Sequence, residues 1–176
     1  ARAKADIVCS VDLGMNTPIT ASIVRSNGTV LARKFINEGS DMDRLHKGLS
    51  MIQKASKQTK RPSQGFCQTR YRRAYAIAQE TAHSLTRQLV DFAYQHDATT
   101  LVFEHMKGWR PKAPRKGLRQ CFHTWLHRRI VKFSEWKWRE LGGRLAFVSP
   151  KHTSKQAYDG SGEVTRSPSV NGVKQP

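Results

Sequence analysis

The sequence is poor in acidic residues: 13 Asp and Glu stand against 31 Lys and Arg among 176 residues, for a formal net charge of +18. A positive field of this size attracts polyanions, most commonly nucleic acids. A basic protein of the membrane surface is the alternative, but no basic amphipathic helix suited to a surface anchor stands out. We therefore expect a nucleic-acid partner and no membrane association.

Long apolar runs and paired cysteines are also missing. No run approaches the ~20 residues of a bilayer-spanning helix, and the N-terminus lacks the apolar core of a secretory signal peptide. The three cysteines, Cys9, Cys67 and Cys121, are far apart and form no CxxC pair. This pattern argues against a disulfide framework and a zinc site, and it indicates reduced thiols. We expect a cytoplasmic, nucleoid-associated protein, and a piece of a longer one, because the chain lacks an initiator Met.

The apolar periodicity predicts five strands and three helices. The strands fall at residues 6–14, 18–25, 29–36, 99–105 and 144–150. One helix starts at Ser40, a second covers 68–96, and a third ends at Gly142-Gly143. Residues 54–65 resemble a basic linker. Asn27-Gly28 predicts a type I′ hairpin, and Ser40 with Asp43 predicts a capping box.

Both long helices carry an apolar stripe that predicts a core-facing side. In helix 68–96 the stripe consists of Tyr71, Ala74, Tyr75, Ala78, Ala82, Leu85, Leu89 and Phe92. In the third helix it consists of Phe122, Trp125, Leu126, Ile130, Phe133 and Leu141. His123 and His127 have the i, i+4 spacing of a metal pair, but no third ligand is evident and we interpret them as surface residues.

The order β-β-β-α-α-β-α-β predicts an α/β fold. Three strands joined by short turns form an antiparallel meander, and the helix between strands four and five makes a right-handed crossover with a parallel pair. The result is a mixed sheet flanked by helices. We assign residues 1–150 to one domain, with a basic helical insert at about 41–96. Residues 151–176 are polar and are expected to be an incomplete, flexible C-terminal segment.

Two acidic residues, Asp12 and Glu104, each end an apolar strand. If strands one and four are neighbours in the sheet, both carboxylates reach the same edge. Clustered carboxylates suit Mg²⁺, which prefers oxygen ligands and keeps several waters, and such ions catalyse phosphodiester cleavage. The alternative is that each acid caps a loop or pairs with one of the many basic side chains.

The candidate nucleic-acid contacts are basic and aromatic. No acid occurs between His105 and Ser134, so this stretch is suited to holding a phosphate backbone, with one tryptophan as a stacking face. The candidates here are Lys107, Trp109, Arg110, Lys112, Arg115, Lys116, Arg119, Arg128 and Arg129. Arg70, Arg72 and Arg73 open the long helix and are further candidates. The alternative for each group is a solvated basic surface.

Three segments together resemble the RuvC-like nuclease domain of the TnpB family: "VDLGMN", "LVFEHMKG" and "KHTSKQAYDGSGEVTR". These transposon-encoded proteins, also described as transposases, are relatives of the type V CRISPR effectors. The resemblance implies an RNase H-like fold and RNA-guided DNA endonuclease activity, with DNA and a guide RNA as partners. By the same resemblance Asp12 matches the first catalytic aspartate, Glu104 matches the catalytic glutamate, and Mg²⁺ or Mn²⁺ is the cofactor.

The C-terminal part departs from the family pattern. The family has a third catalytic aspartate in a DxNAxxN-like segment, whereas the acids after Gly143 are Asp159 and Glu163, which lie in "YDGSGEVT". The leading hypothesis is therefore a truncated RuvC-like catalytic region that hydrolyses DNA phosphodiester bonds. One alternative is a catalytically inactive nucleic-acid-binding fragment of the same family. A second is a basic protein that binds polyanions without specificity.

Overall fold

The computed structural model describes residues 6–14, 17–105 and 126–149. Within these ranges the chain forms five strands and three helices, in the predicted order. The strands are β1 (Ile7–Asp12), β2 (Ile19–Arg25), β3 (Val30–Ile36), β4 (Thr100–Glu104) and β5 (Arg144–Val148). The helices are α1 (Gly39–Gln58), α2 (Gln68–Gln95) and α3 (His127–Glu140). None of these helices combines the length and hydropathy needed to cross a bilayer.

The strands form one mixed sheet in the order β3-β2-β1-β4-β5. β1, β2 and β3 pair antiparallel, which is the predicted meander. β4 lies parallel to β1 and to β5. The crossover from β4 to β5 contains α3, as expected for a parallel pair that needs a long connection. The predicted mixed α/β sheet is therefore confirmed.

The described helices pack on one face of the sheet. Cys9 and Val11 of β1 and Phe103 of β4 are buried, whereas Ser10 and Asp12 are exposed. This alternation is the period-two pattern of a strand with one covered face. α2 lies between α1 and α3 and contacts both of them. We call the face that carries Ser10 and Asp12 the open face.

The end of α3 shows why two glycines are needed there. The Gly142 N–H donates to the Arg139 carbonyl and the Gly143 N–H donates to the Trp138 carbonyl, each at 2.9 Å. This is the Schellman arrangement, and Gly142 has the positive φ of 76° that it requires. A Cβ on Gly143 would lie 2.2 Å from the ring of Trp138, a fully buried side chain. The predicted helix stop is therefore confirmed.

The β2–β3 hairpin forms as predicted, but the predicted type I′ turn was wrong. A type I′ turn needs positive φ at both central residues, and here Gly28 has positive φ (87°) while Asn27 does not. The Gly28 N–H donates to the Arg25 carbonyl at 2.9 Å, and Asn27 Oδ1 accepts from the Thr29 N–H at 3.0 Å. The Arg25 N–H also donates to the Thr29 carbonyl at 2.9 Å, so these two residues are paired and residues 26–28 form a three-residue loop with glycine in the left-handed position.

The predicted capping box at Ser40 was also wrong. α1 already begins at Gly39, and the residue that precedes it, Glu38, makes no side-chain cap. The Glu38 carboxylate instead accepts hydrogen bonds from Ser84 Oγ at 2.7 Å and Gln88 Nε2 at 2.8 Å. These bonds attach the start of α1 to the middle of α2. At its other end α1 continues to Gln58, so the predicted linker at 54–65 starts too early.

Three residues of the predicted apolar stripes lie outside the core. Tyr71 and Tyr75 are 53% and 56% exposed, although Ala74, Ala78 and the rest of the α2 stripe are buried. Leu141 is exposed as well, because it is the C-cap of α3 and Trp138 takes the buried position one turn earlier. Phe122 and Trp125 lie outside the described residues. The two tyrosines matter for the surface described below.

Candidate metal and nucleic-acid site

Asp12 and Glu104 end adjacent parallel strands in the same register. Val11 pairs with Phe103, a separation of 92 positions, and Asp12 and Glu104 have the same separation. Side chains at matched positions of parallel neighbours leave the same face of the sheet, with strands about 4.8 Å apart. The structure therefore brings the two acids together on the open face, where Asp12 is exposed and Glu104 is half-buried. The exposed position of Asp12 avoids the cost of burying its charge.

A glycine fixes the point at which the chain leaves β1. A Cβ on Gly14 would lie 2.8 Å from the carbonyl oxygen of Thr17, which is backbone and cannot move aside cheaply. The chain can therefore turn within a few residues of Asp12 and start β2 at Ile19. Asp12, two positions before this glycine, is the last residue of β1.

The row of residues that crosses the sheet at this level contains no basic side chain. Asp12 pairs with Thr20 and Thr20 with Phe35, while Glu104 pairs with Val148 on the other side. The ion pairs within the described residues are Arg44–Asp41, Arg87–Asp91 and Arg139–Glu135, and Asp12 takes part in none of them. The alternative in which an arginine holds Asp12 therefore finds no support among these pairs.

The two carboxylates fit a hard divalent cation. Mg²⁺ is commonly held by one or two carboxylates together with waters and substrate phosphates, and an exposed pair at a strand end leaves room for both. Among the described residues, no group of three or more His, Cys, Asp or Glu side chains is placed to hold a metal. Asp159 and Glu163 lie outside the described residues.

The predicted nucleic-acid contacts on α2 and α3 separate into two groups on the helical layer. Arg70 and Arg73 line a groove between α1 and α2 together with Arg44 and Lys47, which sequence analysis did not single out. Arg72, Arg128 and Arg129 line a larger cavity to which α1, α2 and α3 all contribute. The remaining candidates lie outside the described residues: Lys107, Trp109, Arg110, Lys112, Arg115, Lys116 and Arg119.

The larger cavity also contains the two tyrosines that the periodicity assigned to the core. Tyr71 and Tyr75 line it beside the arginines, and the Arg129 guanidinium lies 4.7 Å from the ring centroid of Tyr75. Helical spacing could not predict that the two tyrosines are exposed. It shows which side of a helix is apolar, but it does not show at which residue the packing elements stop covering that side. His127, at the start of α3, has its pKa lowered by burial and by Arg128, which favours the neutral imidazole.

No protein-family model matches the chain, and no curated protein does. Solved structures do match. A chain of the cryo-EM structure of the Cas12f1-sgRNA-target DNA complex is similar with a TM-score of 0.69 at 14% identity, covering 94% of this chain and 33% of that one. A chain of a CRISPR-Cas12f ternary complex gives a TM-score of 0.64 at 16% identity, covering 90% and 31%. This chain has the fold of one part of Cas12f.

The Cas12f similarity confirms the fold class expected from the sequence, an α/β mixed sheet with flanking helices. The chain spans about one third of the length of the Cas12f chains that it matches. At this level of identity the similarity describes the fold alone.

Proposed function

We propose that this chain is the RuvC-like catalytic region of a TnpB-type, transposon-encoded RNA-guided endonuclease that hydrolyses DNA. The single observation that carries the proposal is the in-register placement of Asp12 and Glu104 at the ends of β1 and β4. The similarity in fold to Cas12f supports it, as do the sequence segments that resemble TnpB. Guide RNA pairing would select the target sequence, as in other RNA-guided systems, and the protein would act on DNA in the cytoplasm.

In this proposal Asp12 and Glu104 hold Mg²⁺ or Mn²⁺ through their carboxylate oxygens. Such an ion would polarise the phosphodiester and stabilise the charge that develops on its oxygens. The position of both acids on the open face lets a DNA strand approach them, since the described helices pack on the opposite face. The net charge of +18 favours the approach of that strand through long-range attraction.

Metal titration of matched carboxylate variants tests the proposal. We expect Asp12→Asn and Glu104→Gln to weaken Mn²⁺ binding by at least about tenfold in isothermal titration, because each removes one of few charged ligands. Asp43→Asn and Glu80→Gln are the controls, since both residues lie on helices away from the open face and lose the same charge. The rate of Mg²⁺-dependent cleavage of single-stranded DNA should fall in Asp12→Asn and Glu104→Gln only.

Two outcomes would contradict the proposal. Undiminished metal binding and nicking by Asp12→Asn would remove that residue from the mechanism. A wild-type chain that binds DNA but takes up no Mn²⁺ and cuts nothing would favour the inactive nucleic-acid-binding fragment instead.

A further inference from the structure

We propose that the cavity lined by Tyr71, Tyr75, Arg72, Arg128 and Arg129, here called the tyrosine–arginine cavity, binds an unpaired nucleotide of a single strand. This site lies in the helical layer, whereas Asp12 and Glu104 lie on the open face of the sheet. The inference shares with the proposed function only the class of ligand, nucleic acid. It adds a second place of contact, away from the carboxylates.

The shape and the floor of the cavity suit a flat, partly apolar group. Its volume of about 780 Å³ falls in the range of roughly 300–1,000 Å³ that is typical of small-ligand sites. Leu45 and Leu49 of α1 supply apolar surface, and the small side chains of Ala74 and Ala78 on α2 leave the space open. A nucleobase would therefore find both an apolar floor and an aromatic face.

The aromatic face is held in position before any ligand arrives. The Arg129 guanidinium lies 4.7 Å from the centroid of the Tyr75 ring, a cation–π distance. At the other end of the ring, Gln79 Nε2 donates a hydrogen bond to the Tyr75 hydroxyl at 2.9 Å. Stacking of a base on a ring that is already ordered costs less side-chain entropy than stacking on a mobile one.

The charges around the cavity point to an anion. Among the described residues that line it, three are arginines and none is acidic. Arg128 and Arg129 lie in the first turn of α3, which contains no acid and has no side-chain cap. Cations at a helix N-terminus are unfavourable against the helix dipole, so local helix stability does not account for these two arginines. A phosphate beside the base would complement them.

A single strand fits these features better than a duplex. The bases of a duplex are stacked on each other, so they cannot stack on a protein ring, whereas an unpaired base presents its whole face. The groove between α1 and α2, with Arg44, Lys47, Arg70 and Arg73, shares Ala74 with this cavity and offers further phosphate contacts to the same strand.

Binding of short oligonucleotides to the full chain tests the proposal. Fluorescence anisotropy would be measured with oligothymidine and oligouridine of about 12 nucleotides, and with a blunt DNA duplex of the same length. EDTA is present throughout, so that the result does not depend on metal at Asp12 and Glu104. Tyr75→Leu should weaken binding of both single strands by about tenfold, since stacking of one base is lost. Tyr75→Phe should restore it, and the tighter of the two strands identifies the source as DNA or RNA.

Matched controls separate this site from general charge and folding effects. Tyr94→Leu removes another half-exposed tyrosine of α2 and should leave single-strand affinity unchanged. Arg129→Gln should weaken single-strand binding more than Arg139→Gln, which removes the same charge from the same helix. Thermal unfolding of each variant shows whether it folds. If Tyr75→Leu does not fold, the comparison of Arg129→Gln with Arg139→Gln tests the site instead.

Three results would overturn the inference. One is equal affinity of Tyr75→Leu and Tyr94→Leu for the single strands. The second is an equal loss for duplex and single strand, since that would reflect charge alone. The third is a dimer of the chain that Tyr75→Leu dissociates without any change in oligonucleotide affinity, because a second copy would then occupy the cavity. Loss of metal binding in the Asp12 variant affects none of these measurements.

Discussion

The two faces of the sheet differ in what covers them within the described residues. On one face Cys9, Val11 and Phe103 are buried beneath the helices, and on the other Ser10 and Asp12 are exposed. The same two central strands therefore carry both the apolar core and the paired acids, on alternate residues. The difference shows how a carboxylate can lie on the central strand of a sheet without the desolvation cost of burial. The covered face supplies the stability and the open face carries the acids.

The largest expected effect comes from the core beneath the covered face. Trp138 is fully buried, whereas Trp136, two residues earlier on α3, is 56% exposed. Trp138→Ala should lower the free energy of unfolding by about 3–5 kcal/mol, because it leaves a large cavity. Trp136→Ala should change it by less than about 1 kcal/mol. Urea unfolding followed by circular dichroism measures both, and equal losses would show that burial on this face does not determine stability.

Two glycine variants test how the backbone after Asp12 is constrained at the end of β1. Gly14→Ala places a Cβ 2.8 Å from the Thr17 carbonyl oxygen, so we expect a loss of about 1–3 kcal/mol in the free energy of unfolding. Gly48, inside α1, has open space where a Cβ would lie, with no atom of a neighbouring element within 4 Å. Gly48→Ala should therefore raise the free energy of unfolding by up to about 1 kcal/mol, because alanine favours a helix.

Only the first glycine variant should also weaken Mn²⁺ binding, since it moves the turn that follows Asp12. If both variants stabilise the chain, the close approach of Gly14 to Thr17 does not require a glycine at position 14.

The smallest effect concerns Cys9, on the covered face of β1, and appears only at alkaline pH. Burial raises the pKa of the Cys9 thiol from 9.0 to about 12. Between these values the unfolded chain loses this proton while the folded chain keeps it, so stability falls as the pH rises. The slope from one group is at most about 1.4 kcal/mol per pH unit. Cys9→Ala and Cys9→Ser should both unfold with a shallower pH dependence than the wild type above pH 9, measured by urea midpoints. Identical slopes in all three proteins would show that this thiol is hydrated.

The strands, and the positions of Asp12 and Glu104 at strand ends, could be predicted from the sequence, because both depend on local patterns. Each strand shows as a short apolar run, and an acid that ends such a run must lie at a strand end. That Asp12 and Glu104 are neighbours was a hypothesis about how the strands of a mixed sheet are ordered. The pairing of β1 with β4 confirms that expectation, while the catalytic roles of both residues stay predictions.

The tyrosine–arginine cavity could not be predicted, for a reason of length. α2 has 28 residues and spans about 42 Å at 1.5 Å per residue, whereas strands of five to seven residues span about 17–23 Å. A helix of this length extends past the sheet. Tyr71 and Tyr75 continue the apolar stripe in the sequence, but both are exposed, as expected where no strand covers the helix. The predicted start of α1 was wrong for a similar reason. Ser84 and Gln88, which are distant in the sequence, determine where Glu38 lies.

The long sequence separation between β1 and β4 has a consequence for how this fold tolerates insertions. Residues paired in the sheet are 92 positions apart, so the segment between them already forms a long excursion through two helices. The entropy of closing such an excursion grows only with the logarithm of its length, by roughly 0.6 kcal/mol for each doubling. Whole additional modules can thus enter between β3 and β4 while both acids keep their partner strand. During synthesis, Glu104 emerges last of the two, so the pair assembles only after that excursion has been completed.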